Sequence, residues 1–298
     1  RNHRNDIKTI YTILFINQIM DTTVFVLVTD HKYFPKAKTT IRDIRSRGEW
    51  HGDIVMIAID FHANQNFLDF YQIQQKRFTH IQEKKDLCNI LNYCPFSDTI
   101  DGREISKPNQ WEKLHVFDPF FKQWDRVVFV DAGLRVLHNV HESFLKLDYK
   151  NAFLAPDDGG NYVSLPNPDK LFKTQVSHGC QQRLRDSLEP FGGLDILEKN
   201  YFLNCVWVYD TAILDTCTKQ EMINGIVKYP ICKTNEMTMM NLFLHFKYKL
   251  WKPFPVHVPN TTHKKILFDW CELNNPSPST WCDYCLIKYP CTISMEDT

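Results

Sequence analysis

Acidic and hydroxyl side chains follow several apolar runs of the sequence, at the point where each run ends. Three such groups are present: Thr29-Asp30, Asp131-Ala132-Gly133 and Asp157-Asp158. A carboxylate in that position can accept hydrogen bonds from the hydroxyl groups of a ligand or bind a metal ion. In an open α/β sheet, ligands bind outside the carboxyl ends of the strands. These residues are therefore the first candidates for a site, although each group also fits a plain polar turn or a helix cap.

The motifs of several common enzyme classes are absent from the sequence. No GxGxxG follows the first apolar run and no Walker lysine loop occurs, which argues against a Rossmann dehydrogenase and a P-loop enzyme. Neither GxSxG nor HExxH occurs. His115, His138 and His141 do not have a metal-ligand spacing with nearby carboxylates.

The cysteines leave three interpretations open. The chain has 10 Cys, and four of them lie near the C-terminus: Cys271, Cys282, Cys285 and Cys291. Four thiolates can hold a structural zinc, an even number of thiols can form disulfides, and a chain of this length is also stable with free thiols. With a single CxxC pair, the sequence does not decide among them.

Charge and hydropathy exclude some partners. Lys and Arg total 35 and Asp and Glu total 35, so the net charge is zero, which argues against a non-specific grip on nucleic acid or on an anionic membrane. The most apolar stretch, residues 10–28, is interrupted by Asn17, Gln18, Asp21, Thr22 and Thr23, so we predict no membrane-spanning segment. Because the chain begins with Arg1, an upstream signal or anchor stays open, and with it a cytoplasmic or a secretory-lumen location.

The elements that would position these residues follow from the apolar pattern. Continuous apolar runs predict buried strands at residues 24–28, 54–59, 127–130, 152–155 and 205–209. Periodic or polar helical patterns predict helices from Pro35 towards Gly48 and over residues 64–92, 111–117 and 235–246. Strands that alternate with helices predict an α/β fold with a mainly parallel central sheet.

Four segments, in order, resemble glycosyltransferase family eight, the glycogenin-like enzymes, which have a GT-A fold. Residues 110–158, which include VVFVDAG and FLAPDD, resemble the family's central segment around its Asp-x-Asp motif. Residues 27–33 (LVTDHKY) resemble the opening strand end that wraps the uracil ring. Residues 201–209 resemble the "FNSG" strand without its glycine, and residues 236–243 resemble the helix that begins with Asp-Gln in the family.

The resemblance implies a GT-A-like nucleotide-sugar-binding domain over residues 1–270, with a Cys-rich extension, residues 271–298, packed on it. It also implies transfer of a hexose from a nucleotide sugar, with UDP as the carrier, to an unidentified glycan or protein acceptor with retention of configuration. A catalytically silent nucleotide- or glycan-binding protein of the same fold is the alternative. A nucleotidyltransferase fits less well, because it would need two metal-binding carboxylates, and the sequence does not offer such a pair.

Roles for the nucleotide-binding residues come from the same resemblance. Thr29, Asp30 and Tyr33 would hold the base, with the capping turn as the alternative. Asp131, with Ala132 and Gly133, would bind the ribose hydroxyls, and Asp131 is also the candidate ligand for a divalent metal, with a helix cap or turn as the alternative.

The catalytic residues implied by the resemblance are Lys113, Asn204 and Glu236. Lys113 would lie near the sugar or the phosphates, although most lysines are simply solvated. Asn204 would hydrogen-bond sugar hydroxyls. Glu236 stands where the family has an Asp that contacts the transferred sugar, and it also fits an ordinary negative charge at a helix N-terminus.

Departures from the family pattern make the divalent metal, Mn or Mg, doubtful. Gly133 replaces the second Asp, and Leu267 stands where the family's late His ligand is expected. A rival alignment offers His245 instead. One carboxylate is a thin set of ligands for such a metal. Either the enzyme works without a metal, with cations such as Lys113, Arg135, Lys264 or Lys265 stabilising the leaving diphosphate, or the site has decayed to a binding site.

Overall fold

The structure is a computed structural model, which describes residues 21–91, 99–100, 103–104, 109–158, 171–260, 265–268 and 283–288. Within these residues the strands are β1 (Thr23–Asp30), β2 (Asp53–Ile59), β3 (Ile73–Lys76), β4 (Thr99–Ile100), β5 (Arg103–Glu104), β6 (Arg126–Val130), β7 (Leu134–Val136), β8 (Phe153–Ala155), β9 (Val206–Asp210), β10 (Trp251–Pro253), β11 (Lys265–Phe268) and β12 (Tyr284–Lys288).

The helices that the structure describes are α-helical, 3₁₀ and π. The α-helices are α1 (Phe34–Ser46), α2 (Gln65–Phe70), α3 (Glu83–Leu91), α4 (Gln181–Leu188), α5 (Lys219–Lys228) and α6 (Glu236–Met240), which continues as the π-helix Asn241–Lys247. The 3₁₀ helices are Gln110–Phe117, Pro119–Gln123, Val140–Glu142, Phe144–Lys146, Phe172–Gln175, Glu189–Phe191, Gly193–Glu198 and Thr211–Asp215. No described helix has the length and apolar character that a membrane crossing requires.

A seven-stranded sheet organises the molecule in the order β10-β8-β9-β6-β1-β2-β3. β1 pairs in parallel with β2 and β6, β2 with β3, and β10 with β8. β9 is antiparallel to both of its neighbours, β6 and β8. Six of the seven strands therefore run in one direction, and the predicted mainly parallel α/β fold is confirmed.

The continuous apolar runs form central strands because both faces of the sheet are covered. Along β1, Val24 and Val26 belong to one hydrophobic cluster and Phe25 and Leu27 to the other, and all four are fully buried. A strand with only one buried face would instead alternate apolar and polar residues.

Helix α1 returns the chain from the end of β1 along one face of the sheet, as predicted. Pro35 lies in its first turn, where its missing N–H costs nothing. Ala37, Ile41 and Ile44 are its buried apolar residues, and the helix ends two residues before Gly48.

The single helix predicted over residues 64–92 is wrong. The structure divides this segment into α2 and α3, with the edge strand β3 between them. β3 has the sequence IQQK, and only Ile73 in it is buried. Its backbone pairs with β2, so the strand is stabilised by main-chain hydrogen bonds that leave no apolar signature in the sequence.

The helix predicted over residues 235–246 is present but changes type within its length. The α-helical turns of α6 widen into a π-helix at Asn241. The side-chain amide of Asn241 accepts a hydrogen bond from the N–H of Phe202 (3.0 Å) and donates one to the carbonyl of the same residue (3.1 Å). This contact ties the helix to the segment that leads into β9.

A smaller sheet joins the late part of the chain to the region just after β6. Its order is β11-β12-β7, with β12 parallel to β11 and antiparallel to β7. Cys285 lies on β12 and is buried. The other three cysteines of the zinc hypothesis, Cys271, Cys282 and Cys291, lie outside the described residues, so that hypothesis and the proposed boundary at residue 270 stay predictions.

Candidate functional site

The carboxyl ends of β1 and β6 open into one cleft. Its volume is about 560 Å³, counting the open space at its mouth. The cleft is lined by Val28, Thr29, Asp30, Tyr33, Ile59, Asn109, Gln110, Lys113, Asp131 and Ala132. The structure thus brings together six of the residues that the sequence singled out, from three separate segments of the chain.

One wall of the cleft is the turn from β1 to α1. One carboxylate oxygen of Asp30 accepts the backbone N–H of Tyr33 (2.8 Å), and the other accepts the side-chain amide of Asn109 (2.9 Å). The hydroxyl of Thr29 donates to the carbonyl of Asp30 (3.1 Å). Asp30 therefore fixes the turn, as the capping alternative predicts, and the ring of Tyr33 is left to form part of the wall.

The opposite wall is built around the ammonium group of Lys113. Its Nζ lies 2.9 Å from Oδ1 of Asp131, 3.5 Å from Oε1 of Glu236 and 3.3 Å from the carbonyl oxygen of Asn204. The side chains of Lys113 and Glu236 are buried, whereas that of Asp131 is 26% exposed. Lys113 is thus not the solvated lysine of the alternative interpretation.

Asn204 and Glu236 complete this cluster from behind. The amide of Asn204 donates to Oε1 of Glu236 (2.6 Å), whose other oxygen, Oε2, is buried without a hydrogen-bond partner among the described residues. Asn204 is half-buried. Glu236 is sealed in, so its nearest neighbours are Lys113 and Asn204 and not solvent.

Several elements hold the cluster in place. The N–H of Asp131 donates to the carbonyl of Cys205 (2.9 Å), so the ends of β6 and β9 are linked just where the site begins. Lys113 comes from the 3₁₀ helix Gln110–Phe117, and Glu236 is the first residue of α6. A further contact joins these two helices, because the amide of Asn235 donates to Oε1 of Gln110 (2.7 Å).

Burial and charge act in opposite directions on the lysine. Burial lowers the pKa of Lys113, but the carboxylates of Asp131 and Glu236 more than compensate, and its pKa lies above the usual value. Burial also raises the pKa of Glu236, against the opposing influence of Lys113. Lys113 therefore carries its positive charge at neutral pH.

The turn after β6 is held by helix α1. The N–H of Gly133 donates to Oγ1 of Thr40 (3.1 Å), and that hydroxyl donates to the carbonyl of Leu134 (2.8 Å). Gly133 has a φ of +103°, a conformation that side-chain-bearing residues rarely adopt. A Cβ built on Gly133 would lie 3.4 Å from Cδ of Lys36.

Lys36 is a further residue beside the cleft, and none of the sequence motifs includes it. It is exposed on α1, one turn after Tyr33, and its Nζ lies 5.4 Å from the centre of the Tyr33 ring. Lys36 follows Tyr33 by three residues, on a helix that begins at the end of the first strand, and this spacing is the sequence signal that indicates it.

The described residues do not fit a divalent metal. They contain no group of three or more His, Cys, Asp or Glu side chains that could hold one. At the cleft, Asp131 offers a single carboxylate already paired with Lys113. The rival ligand His245 lines a different groove, with Phe246 and Trp251, where burial lowers its pKa to about 4.

Of the cations suggested to replace the metal, Arg135 is excluded. Its guanidinium is buried and ion-paired with Asp43 on α1, with NH2 3.2 Å from Oδ1, so the prediction that it faces the diphosphate is wrong. The ion pair joins α1 to β7, which are far apart in the sequence, so no local sequence pattern indicates it. Lys264 lies outside the described residues, and only the backbone of Lys265 is described.

The acidic pair after β8 does not line the cleft. Oδ2 of Asp157 accepts the amide of Asn200 (3.1 Å), and Asp158 accepts the hydroxyl of Tyr201. Both carboxylates are nearly buried. The structure favours the polar-turn interpretation for these two residues.

Comparison with known proteins shows which solved structures have a similar fold. No protein-family model matches the chain, and no curated protein matches it in sequence. An active-site mutant of LgtC is 11% identical, with a TM-score of 0.54 over 91% of this chain and 88% of that chain. The galactosyltransferase LgtC in complex with donor and acceptor sugar analogues is 11% identical, with a TM-score of 0.51 over 89% of this chain and 86% of that chain.

The bifunctional glycosyltransferase WbbM in its apo form is 14% identical, with a TM-score of 0.51 over 92% of this chain. The chain spans 46% of the length of that protein. At these identities the likeness is one of fold. The protein has the mixed α/β fold of GT-A glycosyltransferases, built on a mainly parallel seven-stranded sheet.

Proposed function

We propose that this protein transfers a hexose from a nucleotide sugar, with UDP as the carrier, to a glycan or protein acceptor. The observation that carries the proposal is the cleft, whose lining includes Thr29 and Tyr33 from the end of β1, Asp131 from the end of β6, and Lys113. The fold, which the chain shares with a galactosyltransferase that binds donor and acceptor sugar analogues, supports the same class of reaction. The glycogenin-like resemblance of the sequence supports UDP as the nucleotide.

Each wall of the cleft suits one part of a nucleotide sugar. The ring of Tyr33 provides an aromatic surface for the base, and the backbone around Thr29 provides hydrogen-bonding groups for its edge. The partly exposed carboxylate of Asp131 is an acceptor for ribose hydroxyls. The ammonium group of Lys113 supplies a fixed positive charge near the diphosphate.

In the proposed reaction, the bond between the anomeric carbon and the diphosphate oxygen breaks. An acceptor hydroxyl oxygen forms the new bond to that carbon, and its proton passes to the departing diphosphate. We propose attack from the face that the diphosphate leaves, which retains the configuration. Negative charge grows on the leaving group during this step, and a cation already in place stabilises it without reorganisation.

Asn204 and Glu236 have different parts in this scheme. The half-buried Asn204 is the group that would donate to a sugar hydroxyl. Glu236 is only 1% exposed, so we assign it a positioning role through Lys113 and Asn204.

A catalytically silent binding protein is the second candidate, and one observation favours it. Lys113 is already neutralised by two carboxylates, Asp131 and Glu236, and the described residues offer no metal cluster to supply further positive charge. A site of this kind can retain the nucleotide without activating its leaving group.

Calorimetry separates these possibilities. UDP-glucose, UDP-galactose, UDP-N-acetylglucosamine and GDP-mannose are titrated into the protein with and without manganese, and the release of free nucleoside diphosphate is then followed with and without sugar acceptors. Binding of a UDP-sugar with release of UDP supports transfer. Binding with neither hydrolysis nor transfer supports the silent protein, and no binding of any donor contradicts both.

A further inference from the structure

We infer that the site binds the diphosphate of its donor without a divalent cation, and that the ammonium group of Lys36 takes the place of the metal. The inference rests on the proposed function, since it concerns the same donor. It concerns a residue that lies outside the family's motifs and that the structure places beside the cleft.

The first observation is the conformation of the backbone where a second carboxylate would be needed. Gly133 has a φ of +103°, so a residue with a Cβ would be strained at that position. The turn is also fixed from outside, because the N–H of Gly133 donates to Oγ1 of Thr40. Gly133 therefore lacks a ligand side chain, and the conformation of its backbone also disfavours any side chain at this position.

The second observation is that a lysine covers the same place. A Cβ on Gly133 would lie 3.4 Å from Cδ and 3.9 Å from Cβ of Lys36. The aliphatic stem of Lys36 therefore packs over the glycine, where the carboxylate of an Asp-x-Asp motif would begin. Its ammonium nitrogen lies 5.4 Å from the ring centre of Tyr33, which lines the cleft.

The backbone position of Lys36 is set by the packing of α1. Lys36, Thr40 and Asp43 lie along one face of the helix, at spacings of four and three residues. Thr40 is bonded to Gly133 and Leu134, and Asp43 is paired with Arg135. Two anchors on the same helix face thus hold the backbone of Lys36 beside the turn that follows Asp131.

The third observation is charge. Lys113 is shared between Asp131 and Glu236, so its positive charge is already balanced. Lys36 is exposed, and among the described residues no carboxylate forms an ion pair with it. A diphosphate that enters the cleft brings negative charge that the pairs already formed do not neutralise. Lys36 lies beside the cleft and supplies the balancing positive charge, as a compact point charge on a flexible stem.

Titration of the full chain with UDP and with uridine tests this inference. The variants are K36A, the conservative K36R, and K38A as the matched control, because Lys38 is exposed on the same helix and lies next to the ring of Phe34. We expect the wild type to bind UDP equally well in EDTA and in manganese. We expect K36A to weaken UDP binding about tenfold or more, as the loss of a charge-assisted hydrogen bond does, and to leave uridine binding unchanged. K36R should retain most of the affinity for UDP, and K38A should behave like the wild type.

Two results would overturn the inference while leaving the proposed function intact. One is UDP binding by the wild type that manganese strengthens tenfold or more. The other is a K36A variant that binds UDP as the wild type does. If the wild type binds neither UDP nor GDP under any condition, the proposed function itself fails and the inference falls with it.

Discussion

The ammonium nitrogen of Lys113 lies 2.9 Å from a carboxylate oxygen of Asp131, at the boundary between the protein interior and the cleft. The lysine end of this pair is buried and the aspartate end is partly open to solvent. The pair therefore links a closed polar cluster, which also contains Asn204 and Glu236, to the space where a ligand would bind. Changes to either partner should affect both stability and ligand binding.

Replacing Lys113 with methionine leaves the carboxylate of Glu236 buried without its cation. We expect K113M to lower the free energy of unfolding by about 3 kcal/mol, the usual cost of breaking a buried pair from one side. The double variant K113M/E236Q should recover part of this loss, since it also removes the stranded charge. Urea denaturation of the four proteins of this cycle measures the coupling. Additive losses would show that the two side chains do not interact as the 3.5 Å separation implies.

Tyr33 should contribute to binding through its ring and not through its hydroxyl. We expect Y33A to weaken binding of both uridine and UDP about tenfold, because stacking of a base on an aromatic side chain is worth about 1–3 kcal/mol. The control Y33F keeps the ring and should bind nearly as tightly as the wild type. Fluorescence or calorimetric titration measures both. A Y33F variant as weak as Y33A would show that the hydroxyl, and not the ring, makes the contact.

The parts of the fold that the sequence predicts are those in which local pattern and tertiary environment agree. The buried strands β1, β2 and β6 are continuous apolar runs because they are covered on both faces, and Thr29 and Asp131 follow directly from where two of those runs end. The edge strand β3 could not be predicted, because its pairing depends on the backbone of β2 and its side chains are mostly polar.

The parts of the site that the sequence misses depend on contacts between distant segments. Lys36 approaches Gly133 only because Thr40 anchors α1 to the turn after β6. The sequence predicts Arg135 as a cation for the diphosphate because its partner, Asp43, lies 92 positions earlier in the chain. Spacing along one element does not report on such pairings.

Glu112 should give the protein a marked acid sensitivity. Its buried carboxylate accepts contacts from Lys84 (2.8 Å), His115 (2.8 Å) and His80 (3.0 Å). Although burial opposes it, these partners lower the pKa of Glu112 from 4.5 to about 2. A carboxylate with a lowered pKa stabilises the folded state above its unfolded pKa, and this contribution is lost as the pH falls from 4.5 to about 2.

His80 acts in the opposite sense. Hydrogen bonds from its ring to Asp60 and Glu112 raise its pKa above 6.5. Its contribution is fully present below pH 6.5 and is lost as the pH rises through the raised pKa. We therefore expect stability to decline on both sides of an optimum pH.

In E112Q the acid-side decline in stability between pH 4.5 and 2 should flatten, and the free energy of unfolding at neutral pH should fall by about 3 kcal/mol. Denaturation midpoints across this pH range measure the effect. If the acid-side decline in stability is unchanged in E112Q, other carboxylates cause that decline.

Introducing an acidic residue at position 133 should not create a metal site. The φ of +103° makes any side chain there cost about 1–3 kcal/mol, and a carboxylate would lie against Lys36 and pair with it. We expect G133D to be less stable than the wild type, to bind UDP as weakly as K36A does, and to gain nothing from manganese.

The matched control for backbone strain is G193A. Gly193 also has a positive φ, +71°, but nothing lies within 4 Å of a Cβ built on it. G193A should therefore lose stability without losing affinity for UDP, so a loss of affinity in G133D alone would be assigned to the contact with Lys36. Thermal denaturation and UDP titration in EDTA and in manganese distinguish the two effects. Manganese-dependent tightening of UDP binding in G133D would mean that the turn after β6 can adopt a metal-binding geometry, which would contradict the role given to Lys36.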